Sequence, residues 1–541
     1  MRNHLAIILA TAALSSGLLA EEVSVKSSIK SVALFKNGLA VIRREVKVPG
    51  PGIYLLEDVP EPIHGTWWIQ SDAPVETQVT EREVSGPVRA ALDLQLALVG
   101  KQVTIFFREG QIPPATGKVE AVASAKGEDA WNRSYQQPRY DYYYGMQNQP
   151  QPQNHFLILR TDKDRIFVDS NMIAYLKSEV KDEQDLVKRR VPVLLLIAGK
   201  EFQKPSTVTI EYLSKGLGWA PSYRVDVADP KTLSIEQSAV VKNELSDLEG
   251  TEMQLISGFP SVSFAHVTSP LSLRTNWTTF FQQINQRPGQ GQGAITQQAL
   301  SNNIVRQAEG IDLAAQPTGE GVDLSYQSIG ALSLKEGDSM ALSIARESAP
   351  YERIVEWNVP DTRNENGAYI SDYERRQDQD KYENAAWDAV RFRNPFKFPM
   401  TTAPAMVVSG EHFNGQQMSY WVNAGEETSL RITKALSIRT RNIEHEEEGA
   451  RNEVFVGGGR YVKTSVAAEL SVSNHRKEDV TLVIRRRFSG ELISADGEPK
   501  KSLLEEGVYS VNTRNELTWT LILKSGEEKT LKYRYSLLTP R

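Results

Sequence analysis

Residues 212–227, "YLSKGLGWAPSYRVDV", read as a strand, a bend and a second strand. Gly216 and Gly218 permit positive φ, Pro221 fixes φ, and Trp219 is large enough to cap a β core. An indole beside a proline could instead stack on a sugar ring, but a binding platform needs several exposed aromatic residues and only Trp219 and Tyr223 are local. The stretch therefore points to the building of a β core. Outward from it in both directions, period-two alternation dominates over helical spacing.

Towards the N-terminus, "SVALFKNGLAVIRREVKV" reads as two strands around Asn37-Gly38, a dipeptide suited to a tight hairpin because both residues tolerate positive φ. "GIYLLEDVP" and "TWWIQSD" add strands, giving an N-terminal β domain over 21–90. After a short possible helix, "ALDLQLALVG", the segments "KQVTIFF", "TGKVEAVAS", "HFLILRTDK" and "RIFVDSNMIAYLKS" suit a small SH3-like or Sm-like barrel over 97–180, since closure removes exposed edges. The Tyr, Gln, Pro and Asn of 125–154 cannot form a core of their own and read as a long loop within that barrel. A β-sandwich domain is expected over 190–450, with a low-complexity insertion at 270–330. Over 455–541, Val480, Leu482 and Ile484 share one face of a strand, and Leu517, Trp519, Leu521 and Leu523 share one face of another. That is the alternation of an immunoglobulin-like sandwich, and the expected fold class is all-β.

The N-terminus suggests a destination. Arg2 and His4 precede the apolar run "LAIILATAALSSGLLA", which ends in small residues before Glu21 and Glu22, so 1–20 reads as a signal peptide cut after Ala20. Thr11, Ser15, Ser16 and Gly17 interrupt that run, which disfavours a spanning helix, and no later segment is comparably apolar. The expectation is an exported protein, periplasmic or extracellular, soluble after cleavage and without an integral membrane segment. With 0 Cys in 541 residues, disulfides, thiolate nucleophiles, cysteine metal sites and lipids carried by an N-terminal cysteine are excluded. The net charge of −6 becomes −7 once Arg2 leaves with the leader, which argues against nucleic acid and anionic membrane surfaces as partners.

Motifs for catalysis are scarce. None of the 7 His forms the helical two-histidine zinc motif, and neither a nucleophile elbow nor a phosphate-binding glycine loop occurs. "SSIK" at Ser27–Lys30 matches Ser-x-x-Lys, but three residues of extended chain separate the two groups by about 10 Å. "GEHFNG" sets Glu411 beside His412, and "NIEHEEEGARNE" surrounds His445 with Glu444, Glu446, Glu447 and Glu448. Cation ligation at the second cluster is weighed against a solvated acidic loop, and the loop is favoured because neighbouring residues on an extended chain point in different directions. No catalytic residue, metal ligand or cofactor is expected. The expected binding residues are Tyr135, Arg139, Tyr140, Tyr142, Tyr143 and Tyr144, which crowd aromatic rings and a guanidinium into "YQQPRYDYYYG" with nothing local to bury them.

"YLSKGLGWAPSYRVDV" followed by "AVVKNELSDLEGTEMQLISGFPS" resembles the opening of the domain of unknown function that defines the mucoidy inhibitor A family of exported bacterial proteins. "VRFRNPFKFPMTTAPAMVVSGEHFNGQQMSYWVNAGEETSLRI" is similar to the middle of that domain, and "LSVSNHRKEDVTLVIRRRF" with "NELTWTLILKSGEEKTLKYRYSL" to its end. "VALFKNGLAVIRREVKVPGPGIYLLEDVPEPI" resembles the family's N-terminal segment. Members of the family carry a long coiled coil between the two parts, where this chain has the barrel-like unit. The resemblance implies a β-rich envelope protein and brings no catalytic residues. The expected function is a non-catalytic binding or scaffolding role with an envelope protein or glycan as partner; the alternatives are a metal- or carboxylate-dependent hydrolase of envelope glycan, or a carbohydrate-binding protein.

Overall fold

The computed structural model describes residues 22–87, 98–108, 112–120, 156–169, 172–178, 186–258, 262–273, 275–285, 324–364, 367–447, 453–505 and 511–540. The expected signal peptide, most of the expected helix at 91–100 and all six expected binding residues from Tyr135 to Tyr144 lie outside the described residues. What is described is nearly all β, as the alternation implies. The chain divides into two compact units, one of residues 1–28, 44–211 and 267–285, the other of 29–43, 212–266 and 286–541.

In the first unit, β1 (Glu22–Ser24), β4 (Gly52–Leu56), β12 (Leu186–Ala198) and β6 (Val75–Pro87) form one sheet in that order. Val193, Leu194, Leu195 and Leu196 of β12 are all buried, so this strand is covered on both faces and loses its alternation. A second sheet holds β7 (Gln102–Phe107), β8 (Ala115–Val119), β9 (Phe156–Arg160), β10 (Arg165–Asp169) and β11 (Ile173–Ser178) over a core of Val103, Ile105, Val119, Leu157, Leu159 and Val168. Here the expected barrel is corrected. The order is β10-β9-β8-β7-β11, and among the described residues the outer strands β10 and β11 do not pair, so the sheet is open. Four strands meander and the fifth returns to the first, but closure needs a ladder that the outer strands do not make. The short β5 (Trp68–Gln70) pairs with the start of β13 (Ser206–Lys215).

The second unit opens with β2 (Ser27–Leu34) and β3 (Leu39–Val48) around the Asn37-Gly38 turn, where Asn37 Oδ1 accepts from Leu39 N. The stretch at 212–227 then becomes the end of β13, a break at Gly216 with φ +98°, and β14 (Leu217–Asp226). Gly218 lies against the hairpin turn: a Cβ there would sit 2.7 Å from Gly38 Cα, so only glycine fits. Trp219 is 3% exposed and its Nε1 donates to Ile256 O at 3.1 Å, the core role expected of it.

From this point the unit is a threefold structural repeat. A strand ending in asparagine, β15 (Thr232–Asn243), β19 (Ala386–Arg393, then Asn394) or β25 (Gly459–Asn474), pairs antiparallel with a later strand, β18 (Ser339–Val359), β22 (Glu427–Lys434) or β30 (Glu528–Pro540). The strand that follows the asparagine, β16 (Leu248–Ser257), β20 (Ala403–Ser409) or β26 (Val480–Ser489), pairs antiparallel with β17 (Ser325–Leu334), β21 (His412–Ser419) or β29 (Arg514–Leu523).

The corner is built the same way each time. Asn243, Asn394 and Asn474 are at most 3% exposed. Each Nδ2 donates to carbonyls on both sides of the corner, for Asn474 those of Glu478, Leu523 and Lys524, and each Oδ1 accepts from the backbone N two residues on. Each asparagine also exchanges backbone bonds with a turn whose glycine has positive φ, namely Gly337, Gly425 or Gly526.

Linkage between repeats follows one rule. A strand lying antiparallel to the asparagine-ended strand also pairs in parallel with the next repeat. Tyr223–Asp226 of β14 pairs with Ala405–Val408 of β20, and Val355–Val359 of β18 pairs with Leu482–Arg486 of β26. Tyr223 and Val225 thereby enter a core with Val390, Phe392 and Val407, while Val355 and Trp357 enter a core with Leu470, Leu482 and Trp519. In the third repeat the equivalent strand is β23 (Ile438–Glu446), which pairs with β25. The sheet β23-β25-β30-β27, with β27 (Glu491–Ala495) at its far edge and β24 (Glu453–Val456) on β25, packs across that last core. The long sheet on the other side ends in β28 (Lys500–Glu505).

Candidate functional site

The shared corner makes the repeats comparable residue by residue. Tyr223, Val355 and Glu444 each pair with the residue six before the corner asparagine, and Val225, Trp357 and Glu446 with the residue eight before it. Two repeats are apolar at these positions and the third is doubly acidic. A place where one copy breaks the pattern of its siblings is a candidate for function.

Alternation along β23 sends Glu444 and Glu446 to one face and His445 to the other, exposed face. Glu444, with its side chain 7% exposed, accepts from Thr362 Oγ1 at 2.5 Å, Arg486 Nη2 at 2.5 Å, Tyr533 Oη at 2.6 Å and Tyr535 Oη at 3.3 Å. Arg486 also donates from Nε to Tyr533 Oη and from Nη1 to Pro360 O and Asp361 Oδ1. Arg514 closes the network on Asp361 Oδ2 at 2.6 Å. Burial alone pushes the Glu444 carboxyl up, but the Arg486 guanidinium and the hydroxyls of Thr362 and Tyr533 outweigh it and hold it below the usual carboxylate range. Burial raises the Tyr533 phenol well above its ordinary value, so it stays a neutral donor. Two carboxylates and two guanidinium groups balance, and the network is structural.

Glu446 marks the open side. Its Oε1 accepts from Arg363 Nη2 at 2.5 Å and from Tyr369 Oη at 3.3 Å. Arg363 stacks with Cζ 3.8 Å from the centroid of the Tyr369 ring, and its Nη1 donates to Gly367 O. Beside them opens a cavity of about 520 Å³ whose walls include Arg363, Tyr369, Glu446, Glu453, Thr464 and Thr539. Among the described residues no three His, Asp or Glu side chains converge as metal ligands.

The acidic run, described over 442–447, is therefore not the solvated loop expected of it. Its first five residues are strand, and Glu444 is buried in ion pairs because period-two alternation carries it inward. Glu411 and His412 sit at the turn into β21 and do not line the cavity. Arg486 was missed, although a signal existed: it falls in phase with Leu482, Ile484 and Phe488 on the core face of β26. Compared with protein-family models and with curated proteins, the chain matches none.

Proposed function

We propose that this is an exported, non-catalytic binding or scaffolding protein of the bacterial cell envelope, related to the mucoidy inhibitor A family, whose immunoglobulin-like third sandwich meets a partner protein at its charged end. One observation carries the reading. Glu444 and Glu446 replace the apolar pair that in the other repeats packs under the next repeat's strand, and an accessible cavity with an exposed Tyr369 lies there. The ionisable groups at this end are engaged with one another, Glu444 with Arg486 and Glu446 with Arg363, which suits recognition better than proton transfer. The apolar leader supports export, and mass spectrometry of the native protein is expected to find Glu21 first; an intact Met1 would contradict it. Binding is tested with a photocrosslinking residue in place of Tyr369. A discrete adduct is expected there, and an equal yield of the same adduct from a crosslinker at exposed Phe413 would contradict a specific site.

A further inference from the structure

We propose that the outer face of the five-stranded sheet β10-β9-β8-β7-β11 binds a carboxylate-bearing polysaccharide. The inference takes from the reading above only export to the envelope, and it concerns the other compact unit of the chain. One face of this sheet is spent on its core of Val103, Ile105, Val119, Leu157, Leu159 and Val168. Alternation sends the residues between them to the opposite face. There the register sets Arg165 opposite Arg160 and Arg160 opposite Lys118, so three cations stand abreast on three adjacent strands. Like charges directly opposite one another destabilise a sheet. Glu120 offsets part of that row, with Oε2 2.7 Å from Arg165 Nε and Oε1 3.6 Å from Arg160 Nη1. Lys118 is exposed and makes no ion pair among the described residues. Lys177, opposite Thr104 two strands further on, is exposed as well, with its Nζ 5.3 Å from the centroid of the Phe106 ring.

Aromatic rings lie on the same face. Tyr175 stands opposite Phe106 with the two rings stacked, centroids 4.4 Å apart and planes 12° from parallel, and Tyr175 is 53% exposed. Phe167 is 58% exposed, with Arg165 Cζ 5.6 Å from its ring centroid. An open ring offers its negative face to the polarised C–H bonds of a pyranose, and Lys and Arg donate charge-assisted hydrogen bonds to a carboxylate. Adjacent strands lie about 4.8 Å apart, close to the advance of one sugar along an extended glycan, so a chain crossing the strands brings successive carboxylates to Lys118, Arg160 and Arg165. A nucleic acid or an anionic bilayer calls for a strongly basic partner, which a chain of net charge −6 is not. A uronate chain, with one charge per sugar, needs only a few cations at sugar spacing.

The test is titration calorimetry of the full mature protein with an oligogalacturonate long enough to cross the five strands. Saturable binding is expected, and it should be lost when the carboxyl groups are methyl-esterified, which removes the charge and keeps the sugar rings. Lys118→Gln is expected to weaken binding about fivefold, the upper range for one exposed ion pair. Tyr175→Leu, which keeps an apolar contact for Phe106, is expected to weaken it roughly tenfold, the upper range for an aromatic contact. No binding would overturn the proposal, as would unchanged affinity in both variants, which would put the contact elsewhere. Equal binding of the methyl ester would overturn the role of the cations. Equal binding of polyglutamate or of single-stranded oligothymidylate would reduce the contact to non-specific electrostatics and overturn the glycan. Glycan binding by a native protein that begins at Met1 would uphold the surface and remove export, whereas no binding by one that begins at Glu21 removes the surface alone.

Discussion

At the residues pairing six and eight positions before the corner asparagine, the second sandwich has Val355 and Trp357 while the third has Glu444 and Glu446. The backbone register is the same and the surroundings differ. β26 lies in parallel beside Val355–Val359, which leaves Trp357 fully buried with its Nε1 bonded to Asn384 Oδ1. No such strand flanks β23 among the described residues. Carboxylates survive at that end because Arg486, Thr362, Tyr533 and Arg363 replace the water they lose. A repeat can thus keep its frame and exchange one apolar contact for a polar network, here at β23, whose far edge pairs with no strand among the described residues.

The largest effect should come from breaking the network. Arg486→Leu leaves Glu444 buried without its cation and is expected to cost about 3–5 kcal/mol. Adding Glu444→Val restores the apolar chemistry of the second sandwich and should recover most of that loss in urea unfolding. A double variant as unstable as the single one would break the equivalence of the two positions. Next in size, Asn394→Ala and Asn474→Ala should each cost roughly 1–3 kcal/mol, since each strands buried carbonyls that the side-chain amide satisfies. Strongly unequal losses would show that the corners are alike in geometry but not in energy.

The smallest expected effect is in acid. Because the folded Glu444 carboxyl titrates below its unfolded value of about 4.3, its stabilisation is present above that pH and is lost as pH falls through the folded value. The stability gap between wild type and Glu444→Gln at pH 7 should therefore narrow below about pH 4.3. A gap that stays constant would mean that Glu444 is not held ionised by Arg486.

Much of the fold was legible because two-residue alternation survives wherever a strand has one wet face, as in Leu517, Trp519, Leu521 and Leu523. The threefold repeat was not read, although "LKEGDS", "VNAGEE" and "LKSGEE" mark its three turns. Loops of very different length separate each turn from its asparagine, so no fixed period appears. Barrel closure failed as an expectation because strand count and alternation say nothing about whether the outer strands meet. At the site, Glu444 and Glu446 were noticed for their charge, but their partners Thr362, Arg363, Arg486 and Tyr533 lie far along the chain and only the fold assembles them.

Amide hydrogen exchange of the protein without partner tests the central claim most directly. The amides of Tyr223–Asp226 and Val355–Trp357 have a strand on each edge and should exchange slowly throughout. Between Glu444 and Glu447, amides pointing away from β25 should exchange at rates near those of exposed loops. Protection there equal to that of the two siblings would contradict an open edge in the third sandwich.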